Sequence, residues 1–348
     1  MQALIFSQNI AEALDRTCRE QPSDRLFLLT DTTTDRLCRP LLAASTAARE
    51  ATSIVVGATD SHKTLQTLAD VWKALSDGGA SRRSALVCLG GGMVTDLGGF
   101  AAATFKRGID FVHIPTTLLA MVDAAVGGKT GINFNGLKNE IGAFRESRAV
   151  LIDTQFLRTL DRPNLCSGYA EMLKHSLLSD TAMWADHLRF PLSNTDYTRL
   201  QEMVRQSIAV KERIVREDPH EHGIRKALNL GHTIGHALES LSHEAGRPLL
   251  HGYAVAYGLA CELYLSTVCA GFPAEQMRQT VHFIRDVYGA FPFTCRDYEQ
   301  LYALMLHDKK NAGGHINFTL LSDIGHVRLD QHIPKATVFE SLDFLREG

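Results

Sequence analysis

The sequence has no strong excess of charge of either sign and no long hydrophobic run. Its 348 residues include 36 lysines and arginines against 39 aspartates and glutamates, a net charge of −3. Because this provides no global basic field, we expect neither a nucleic-acid partner nor a membrane partner. No stretch reaches the ~18 apolar residues of a membrane span. The segment MQALIFSQNIAEALDR has no basic region followed by an apolar core, so it does not resemble a signal peptide.

The seven cysteines are widely scattered and form no CxxC pair. They are Cys18, Cys38, Cys88, Cys166, Cys261, Cys269 and Cys295. An odd number of separated cysteines is typical of reduced thiols, so we expect a cytoplasmic protein without a disulfide framework. Most should be small buried apolar side chains.

The first 150 residues alternate between strand-like and helix-like runs. Four apolar runs predict parallel strands: RLFLLTD (25–31), SIVVGATD (53–60), SALVCLGGG (84–92) and FVHIPTTLLA (111–120). Between them, KTLQTLADVWKALSDGGA (63–80) and MVTDLGGFAAATF have the pattern of helices, and Gly78-Gly79 ends the first. This alternation favours an α/β domain with a parallel sheet.

The second half is predominantly helical. Long helical runs begin at NLCSGYAEMLKHSLLS, YTRLQEMVRQSIAVKERIVRED and VAYGLACELYLSTVCAG, and HINFTLLSDIG (315–325) is interpreted as a short hairpin. The length suits about two domains of roughly 100–200 residues each. We therefore predict an α/β domain over 1–155 and a mainly α-helical domain over 156–348.

A glycine-rich turn, GGGMVTD (90–96), follows a predicted strand and opens a helix. Glycine lets the backbone approach a phosphate, and a helix N-terminus offers free N–H groups. The spacing is not GxGxxG, and tight turns also use glycine for steric reasons. With Asp96 following and Asp31 ending an earlier strand, a dinucleotide site and a purely structural turn remain comparable interpretations.

The segment VDAAVGGKTGINFNGLKNEIGAF (122–144) is polar and glycine-rich, and we predict a mobile loop. GGKT resembles the end of a P-loop, but Asp123 stands where that motif requires glycine, so a nucleoside triphosphate site is not expected. Lys129, Lys138 and Asn139 favour a small anionic substrate instead. The alternative is a solvated loop, which explains the lysines but not the density of glycine.

The run ALNLGHTIGHALE (227–239) predicts one helix with His232 and His236 on one face and Glu239 three residues further on. Two other segments have similar side chains: Glu171, Lys174 and His175 in GYAEMLKH, and His251 in LLHGYAVAYG. A Glu/His/His set with an open position is the usual catalytic zinc arrangement. Spacing alone nominates His232 and His236 as ligands. Taken singly, each histidine is better explained as a hydrogen-bonded core or surface residue.

Together these blocks resemble the 3-dehydroquinate synthase family. The matching blocks run in order from about residue 86 to 326: GGGMVTDLGGFAAATFKRG, FVHIPTTLLAMVDAAVGGKTGIN, LKNEIGAF, GYAEMLKH, KERIVREDPHEHGIRKALNLGHTIGHALE, LHGYAVAYG and DKKNAGG. The resemblance implies an α/β N-terminal NAD-binding domain with a parallel sheet, a mainly helical C-terminal metal- and substrate-binding domain, and a homodimer. It also implies a carbon–oxygen lyase that converts 3-deoxy-D-arabino-heptulosonate 7-phosphate to 3-dehydroquinate and phosphate in the shikimate pathway. The implied cofactors are NAD, used in a transient redox step, and one divalent metal, Zn²⁺ or Co²⁺.

The resemblance also implies roles for individual residues. It assigns the metal to Glu171, His232 and His251, and catalysis to His236, Lys174, Asn229 and Asp123. Substrate-binding positions fall on Arg107, Lys129, Lys138, Asn139, Lys211, Arg225, and Lys309 or Lys310, of which Arg107 matches an arginine that reaches the neighbouring subunit's substrate. NAD contacts fall on Asp31, Asp60, Lys63, Gly91, Gly92, Asp96, Thr116 and Thr117. Asp60 stands where the family usually has Glu, and Tyr253 stands where Glu is common, so the first of these departures bears on the ribose contacts.

Three alternatives remain open. Another sugar-phosphate cyclase would use a different sugar phosphate, but Lys129, Asn139 and His236 all match the dehydroquinate pattern. A metal-dependent polyol dehydrogenase would consume NAD stoichiometrically and would not need lysines for a phosphate. A catalytically inactive NAD-binding protein would not need intact metal ligands. We therefore expect a cytoplasmic enzyme that acts on a phosphorylated sugar acid.

Overall fold

The computed structural model describes residues 2–219, 221–307 and 316–347. The chain divides into two compact units: unit 1 consists of Met1–Asp161 with Asp196–Ile208, and unit 2 of Arg162–Thr195 with Ala209–Gly348. The described strands are β1 (Ala3–Phe6), β2 (Leu26–Asp31), β3 (Thr52–Val56), β4 (Ala85–Gly90), β5 (Asp110–Pro115), β6 (Lys129–Phe134), β7 (Leu137–Phe144), β8 (Ala149–Ile152), β9 (Phe318–Asp323) and β10 (His326–Gln331). The described α-helices are α1 (Ile10–Glu20), α2 (Thr32–Leu37), α3 (Thr46–Glu50), α4 (Leu65–Asp77), α5 (Gly92–Thr104), α6 (Arg162–Leu177), α7 (Thr181–Arg189), α8 (Tyr197–Glu217), α9 (His232–Glu244), α10 (His251–Ala270), α11 (Ala274–Tyr288), α12 (Tyr298–Leu306) and α13 (Lys335–Glu347).

Unit 1 is built on a six-stranded sheet with the order β1-β8-β5-β4-β2-β3, in which all pairings are parallel. The four predicted strands are β2 to β5, and the two predicted helices are α4 and α5, so these predictions are confirmed. On α4, Leu68, Val71 and Leu75 are fully buried in the sheet's hydrophobic core. Burial of each such side chain contributes about 1.5–3 kcal/mol. This packing holds the carboxyl ends of the strands where the glycine-rich turn leaves β4.

The prediction of a mobile loop over 122–144 is wrong, because β6 and β7 form an antiparallel hairpin. Asn135 and Gly136, which join the strands, have φ of 50° and 78°, the left-handed pair that a tight two-residue hairpin turn requires. Gly131 pairs with Gly142, and a Cβ on Gly142 would overlap the carbonyl oxygen of Thr130. The density of glycine therefore has a structural reason: it lets the backbones of the two strands approach each other closely.

The prediction of a hairpin within 315–325 needs correction as well. From Phe318 to Asp323 this segment is a single strand, β9, and its antiparallel partner β10 begins only at His326. The turn lies at Gly325, whose φ is 78°. The hairpin is therefore real but extends beyond the predicted segment, because the exposed, alternating β10 has no continuous apolar run.

The predicted single helix over 227–239 is interrupted at Gly231. Residues Ile224–Asn229 form a 3₁₀ turn, Gly231 has a φ of 80°, and α9 begins at His232. The buried carboxylate of Glu262, on α10, accepts hydrogen bonds from the backbone N–H groups of Gly231 (2.6 Å), Thr233 (3.0 Å) and Ile234 (3.2 Å). A distant side chain thus satisfies the exposed amides at the start of α9 and compensates its dipole.

We expect Glu262→Ala to destabilise the protein strongly, because it leaves these three amides without their acceptor. The free energy of unfolding should fall by about 3–5 kcal/mol, since each buried unsatisfied group costs about 1–3 kcal/mol. Denaturant unfolding measures the loss. Glu244→Ala, at an exposed position of α9, is the control and should stay within about 0.5 kcal/mol of the parent. An unchanged midpoint for Glu262→Ala would contradict the assigned role.

Helix α10 has the composition of a membrane-spanning helix but a different setting. Among the described residues it alone passes that test of length and hydropathy, and 67% of its apolar window is buried inside the protein. Helices α6, α9, α11 and α13 and strand β9 pack around it. Its apolar character therefore reflects a position at the centre of unit 2.

Candidate metal centre and active-site residues

Three helices of unit 2 come into close contact at glycines. A Cβ on Gly252 would overlap the carbonyl oxygen of Ser167 on α6, and a Cβ on Gly258 would overlap that of Gly231 at the start of α9. Because these backbones touch, α6, α9 and α10 hold fixed positions relative to one another. Each helix contributes one side chain to a common point: Glu171 from α6, His232 from α9 and His251 from α10.

These three side chains have the geometry of a metal-binding set. Oε1 of the fully buried Glu171 lies 3.3 Å from Nε2 of His232 and 3.6 Å from Nε2 of His251. One ligand atom from each of the three residues lies within 4.8 Å of the other two. Ligands about 2.0–2.1 Å from a tetrahedral zinc ion are themselves roughly 3.4 Å apart. Among the described residues, Glu171 Oε1 has no well-formed hydrogen bond. The donor set and spacing therefore fit one divalent cation.

The electrostatics of the cluster also favour a cation. Burial raises the pKa of Glu171, but the charge of Lys174 and the ring of His232 outweigh it and hold this pKa well below its usual range. Burial lowers the pKa of His251, but the nearby carboxylates of Glu171 and Glu239 outweigh it and raise this pKa to about 10. Negative charge therefore faces the two imidazole ligands.

His236 lies one turn after His232 on the same face of α9. Its ring centre is 5.2 Å from that of His232 and 5.9 Å from that of His251. The three-residue metal-binding set includes His232 but not His236. The two histidines that spacing alone made equivalent therefore have different surroundings.

Other predicted residues of unit 2 lie on α6, on α8 or in the loop before α9. Lys174 is buried in an ion pair with Glu171. Lys211 and Arg225 are also buried, and Arg225 Nη1 donates to the carbonyl oxygen of Pro219 at 2.6 Å. Asn229 Nδ2 donates to Glu221 Oε1 at 3.3 Å. The sequence analysis did not identify Glu221 as a partner of Asn229. The only local signal for it was an acidic residue between two histidines in DPHEHG (218–223). Lys309 and Lys310 lie outside the described residues.

In unit 1 the glycine-rich turn has the predicted form. Gly91 precedes α5 directly, and a Cβ on it would lie 3.0 Å from the side chain of Thr117. The backbone N–H of Thr116 donates to the carbonyl oxygen of Gly90 at 3.0 Å. Gly91, Gly92, Thr116 and Thr117 thus lie together where two parallel strands end, the usual position of a nucleotide site in such a sheet.

A second group in unit 1 is centred on Lys63. This buried lysine donates hydrogen bonds to Asp96 and to the side-chain oxygen of Asn139. Asn133 donates to Asp60 Oδ2 at 2.9 Å and accepts from the backbone N–H of Asn139 at 2.9 Å. Asn139, predicted to bind substrate, is therefore held by residues predicted to bind NAD.

The remaining predicted residues of unit 1 lie in strands and turns. Asp31 caps α2, because its Oδ1 accepts from the backbone N–H groups of Thr33 and Thr34. Asp123 is in a π-helical turn, Ala120–Ala124. Three cationic residues are exposed: Lys129 and Lys138 on the hairpin, and Arg107 in a turn where its φ is 68°.

Comparison with known proteins finds relatives over the full length. Residues 53–167 match the family described as 3-dehydroquinate synthase N-terminal, and residues 168–311 match 3-dehydroquinate synthase C-terminal. A 3-dehydroquinate synthase of Parabacteroides distasonis is 55% identical over 347 residues, covering 100% of this chain and 98% of that protein. One of Bordetella pertussis is 41% identical over 290 residues, covering 82% and 79%.

Solved structures share the fold over 99% of this chain and 96% of theirs. The 2-epi-5-epi-valiolone synthase of Streptomyces hygroscopicus subsp. jinggangensis 5008, with NAD⁺ and Zn²⁺ bound, gives a TM-score of 0.83 at 25% identity. A 2-deoxy-scyllo-inosose synthase complexed with carbaglucose-6-phosphate, NAD⁺ and Co²⁺ gives 0.82 at 23%. The predicted fold class, a parallel α/β N-terminal part with a mainly helical C-terminal part, is confirmed. Two matched domains and high identity over the whole length show that this chain belongs to the 3-dehydroquinate synthase family.

Proposed function

We propose that this protein is a soluble cytoplasmic lyase that converts 3-deoxy-D-arabino-heptulosonate 7-phosphate to 3-dehydroquinate and phosphate. The observation that carries the proposal is the 55% identity, over the whole chain, to a 3-dehydroquinate synthase. The Glu/His/His set of unit 2 supports it, because this reaction needs a Lewis acid beside a substrate hydroxyl. Residues 1–155 would bind NAD, and residues 156–348 would bind metal and substrate.

The proposed cofactors are NAD and one divalent metal, Zn²⁺ or Co²⁺. Glu171, His232 and His251 would hold the metal, which fits the spacing of their ligand atoms. The residues proposed to hold NAD surround the glycine-rich turn and Lys63: Asp31, Asp60, Lys63, Gly91, Gly92, Asp96, Thr116 and Thr117. When bound, the metal polarises a substrate hydroxyl and NAD supplies an oxidation that is reversed within each turnover. NAD⁺ occurs with Zn²⁺ or Co²⁺ in the two related synthases, in agreement with this pair.

Proton handling is assigned to side chains next to the metal ligands. We propose that His236 holds and moves the proton of the substrate hydroxyl, because its ring lies beside both imidazole ligands. Lys174 would keep Glu171 ionised, since its buried ammonium group pairs with that carboxylate. Asn229 would orient the substrate hydroxyl, and Asp123 is proposed as a further catalytic group in unit 1.

The anionic ends of the substrate call for fixed positive charge. We propose that cationic side chains with Asn139 bind its carboxylate and phosphate: Arg107, Lys129, Lys138, Lys211, Arg225, and Lys309 or Lys310. Lys211 and Arg225 support this assignment, because charge-assisted hydrogen bonds are stronger where water is excluded. A dehydrogenase for neutral polyols would have no use for so many cations.

One assay tests the proposed reaction. The protein is incubated with the heptulosonate phosphate, substoichiometric NAD⁺ and Zn²⁺ or Co²⁺, and phosphate, dehydroquinate and absorbance of NADH are followed. We expect phosphate and dehydroquinate in equal amounts, in excess over NAD⁺, without net NADH. Net NADH would indicate a polyol dehydrogenase. Turnover of other sugar phosphates alone would indicate a different cyclase, the second candidate that the solved neighbours favour.

A homodimer is part of the proposal. The hairpin of β6 and β7 exposes four large apolar side chains: Phe134 (37%), Leu137 (53%), Ile141 (37%) and Phe144 (69%). Exposed large apolar side chains concentrated on one hairpin are typical of a protein–protein interface, and a second copy of this chain is the proposed partner. Arg107, exposed in its turn, would reach the substrate of the neighbouring subunit.

Mixing two inactive variants tests this exchange of arginines. In a heterodimer of Arg107→Ala and His232→Ala, the subunit with intact metal ligands would receive its arginine from the other. Random subunit exchange should therefore restore roughly a quarter of the parent activity, because half the dimers are mixed and each has one complete site of two. A mixture of His232→Ala and His251→Ala is the matched control and should stay inactive. Recovery no greater than in this control would contradict the proposal.

A further inference from the structure

Glu239 is an acidic residue of α9 to which the proposed mechanism gives no task. It lies seven residues after His232 and three after His236, so all three lie on one face of the helix. The side chain of Glu239 is only 9% exposed. A buried carboxylate has a high cost unless its contacts compensate.

One contact of this carboxylate leads to the metal-binding set. Oε2 of Glu239 lies 3.1 Å from Nδ1 of His251. A carboxylate accepts hydrogen bonds, so Nδ1 has to be the protonated nitrogen of the ring. Nε2 is then the nitrogen that gives up its proton when a metal binds, and it lies 3.6 Å from Glu171 Oε1. Glu239 therefore selects the tautomer and the ring orientation that a metal ligand needs.

The two imidazole ligands differ in what else restrains them. His232 Nδ1 lies 3.1 Å from the carbonyl oxygen of Leu230, which belongs to the same short stretch of chain. His251 is the first residue of α10, its helix has no side-chain cap, and 28% of its side chain is exposed. Its ring therefore depends on a contact from another helix.

We propose that Glu239 is a positioning residue for His251, which holds Nε2 of that ring toward the metal. This inference rests on the proposed metal centre. The orientation of both imidazole ligands then depends on α9 and the residues just before it. The carbonyl oxygen of Leu230 orients His232, and the carboxylate of Glu239 orients His251. The loss of an outer hydrogen bond of this kind typically costs 10–100-fold in metal affinity or activity.

Metal titration of matched variants tests the inference. Dissociation constants for Zn²⁺ and Co²⁺ are measured by competition with a chromophoric chelator, together with the visible spectrum of the Co²⁺ form. We expect Glu239→Ala to weaken binding 10–100-fold and to change the Co²⁺ spectrum. Glu239→Gln should stay within about threefold of the parent, because its amide oxygen still accepts from Nδ1. Glu244→Gln, at an exposed position of α9, is the control and should leave both readouts unchanged.

The outcomes separate this inference from the proposed function. If the parent protein binds neither Zn²⁺ nor Co²⁺, the proposed metal centre itself is wrong. Parent-like affinity and spectrum in Glu239→Ala, or equal losses in the Ala and Gln variants, would overturn the positioning role while the metal centre stands. A merely structural role would lower the melting temperature of the metal-free protein without changing metal affinity. If Glu239→Ala does not fold, Glu239→Asp replaces it with the same expected loss, because its carboxylate stops one carbon short of Nδ1.

Discussion

Replacement of His232 by alanine should weaken metal binding more than a hundredfold and abolish turnover. The substitution removes one of three ligands and leaves the buried Glu171 facing a single imidazole. Structural zinc sites bind with about 10–16 kcal/mol shared among four ligands, so one ligand corresponds to about 3 kcal/mol, or more than a hundredfold in affinity. Competition with a chelator measures the metal, and phosphate release measures turnover.

His243→Ala provides the control for this experiment. His243 is an exposed residue of the same helix, so its loss should change neither metal affinity nor phosphate release. Full activity of His232→Ala in metal-free form would refute the assignment of the metal and, with it, the proposed chemistry. Loss of activity with full metal binding would instead move His232 from the ligand set to the catalytic set.

Replacement of His236 by alanine should lower turnover without weakening metal binding. Because His236 lies beside the ligand set without belonging to it, metal affinity should stay within about threefold of the parent. Turnover should fall by about 10²–10⁴-fold, the usual contribution of a positioned acid–base group. Steady-state kinetics at saturating metal, combined with the same chelator titration, measure both. Metal loss as severe as in His232→Ala would mean that both histidines of the helix bind the ion.

Much of the parallel sheet could be predicted from the sequence, because its central strands are continuous apolar runs. The edge strand β1 and its neighbour β8 were missed, since each has four residues and provides too short a signal. The hairpin of β6 and β7 was missed for another reason. Its turn residues Asn135 and Gly136 are a strong local hairpin signal. The lysines and glycines around them, however, are a composition that also occurs in solvated loops.

The candidate metal centre depends on contacts that no local pattern reveals. Spacing along one helix paired His232 with His236, and the family resemblance replaced that pair with three ligands from distant segments. What brings the three together is the contact of helix backbones at Gly252 and Gly258 and the capping of α9 by Glu262. Such contacts join residues far apart in the chain, so they become visible only once the helices are packed.

The recruitment of one ligand from each of α6, α9 and α10 has a thermodynamic consequence for the whole of unit 2. An ion that binds three separate helices has no comparable site in the unfolded chain, so its binding free energy adds to the free energy of unfolding. At a free metal concentration 100 times Kd this addition is about 2.7 kcal/mol. We therefore expect metal supply to affect the lifetime of the protein as well as its activity. Protein that has lost its metal unfolds more often, and unfolding exposes α6, α9 and α10 to proteases.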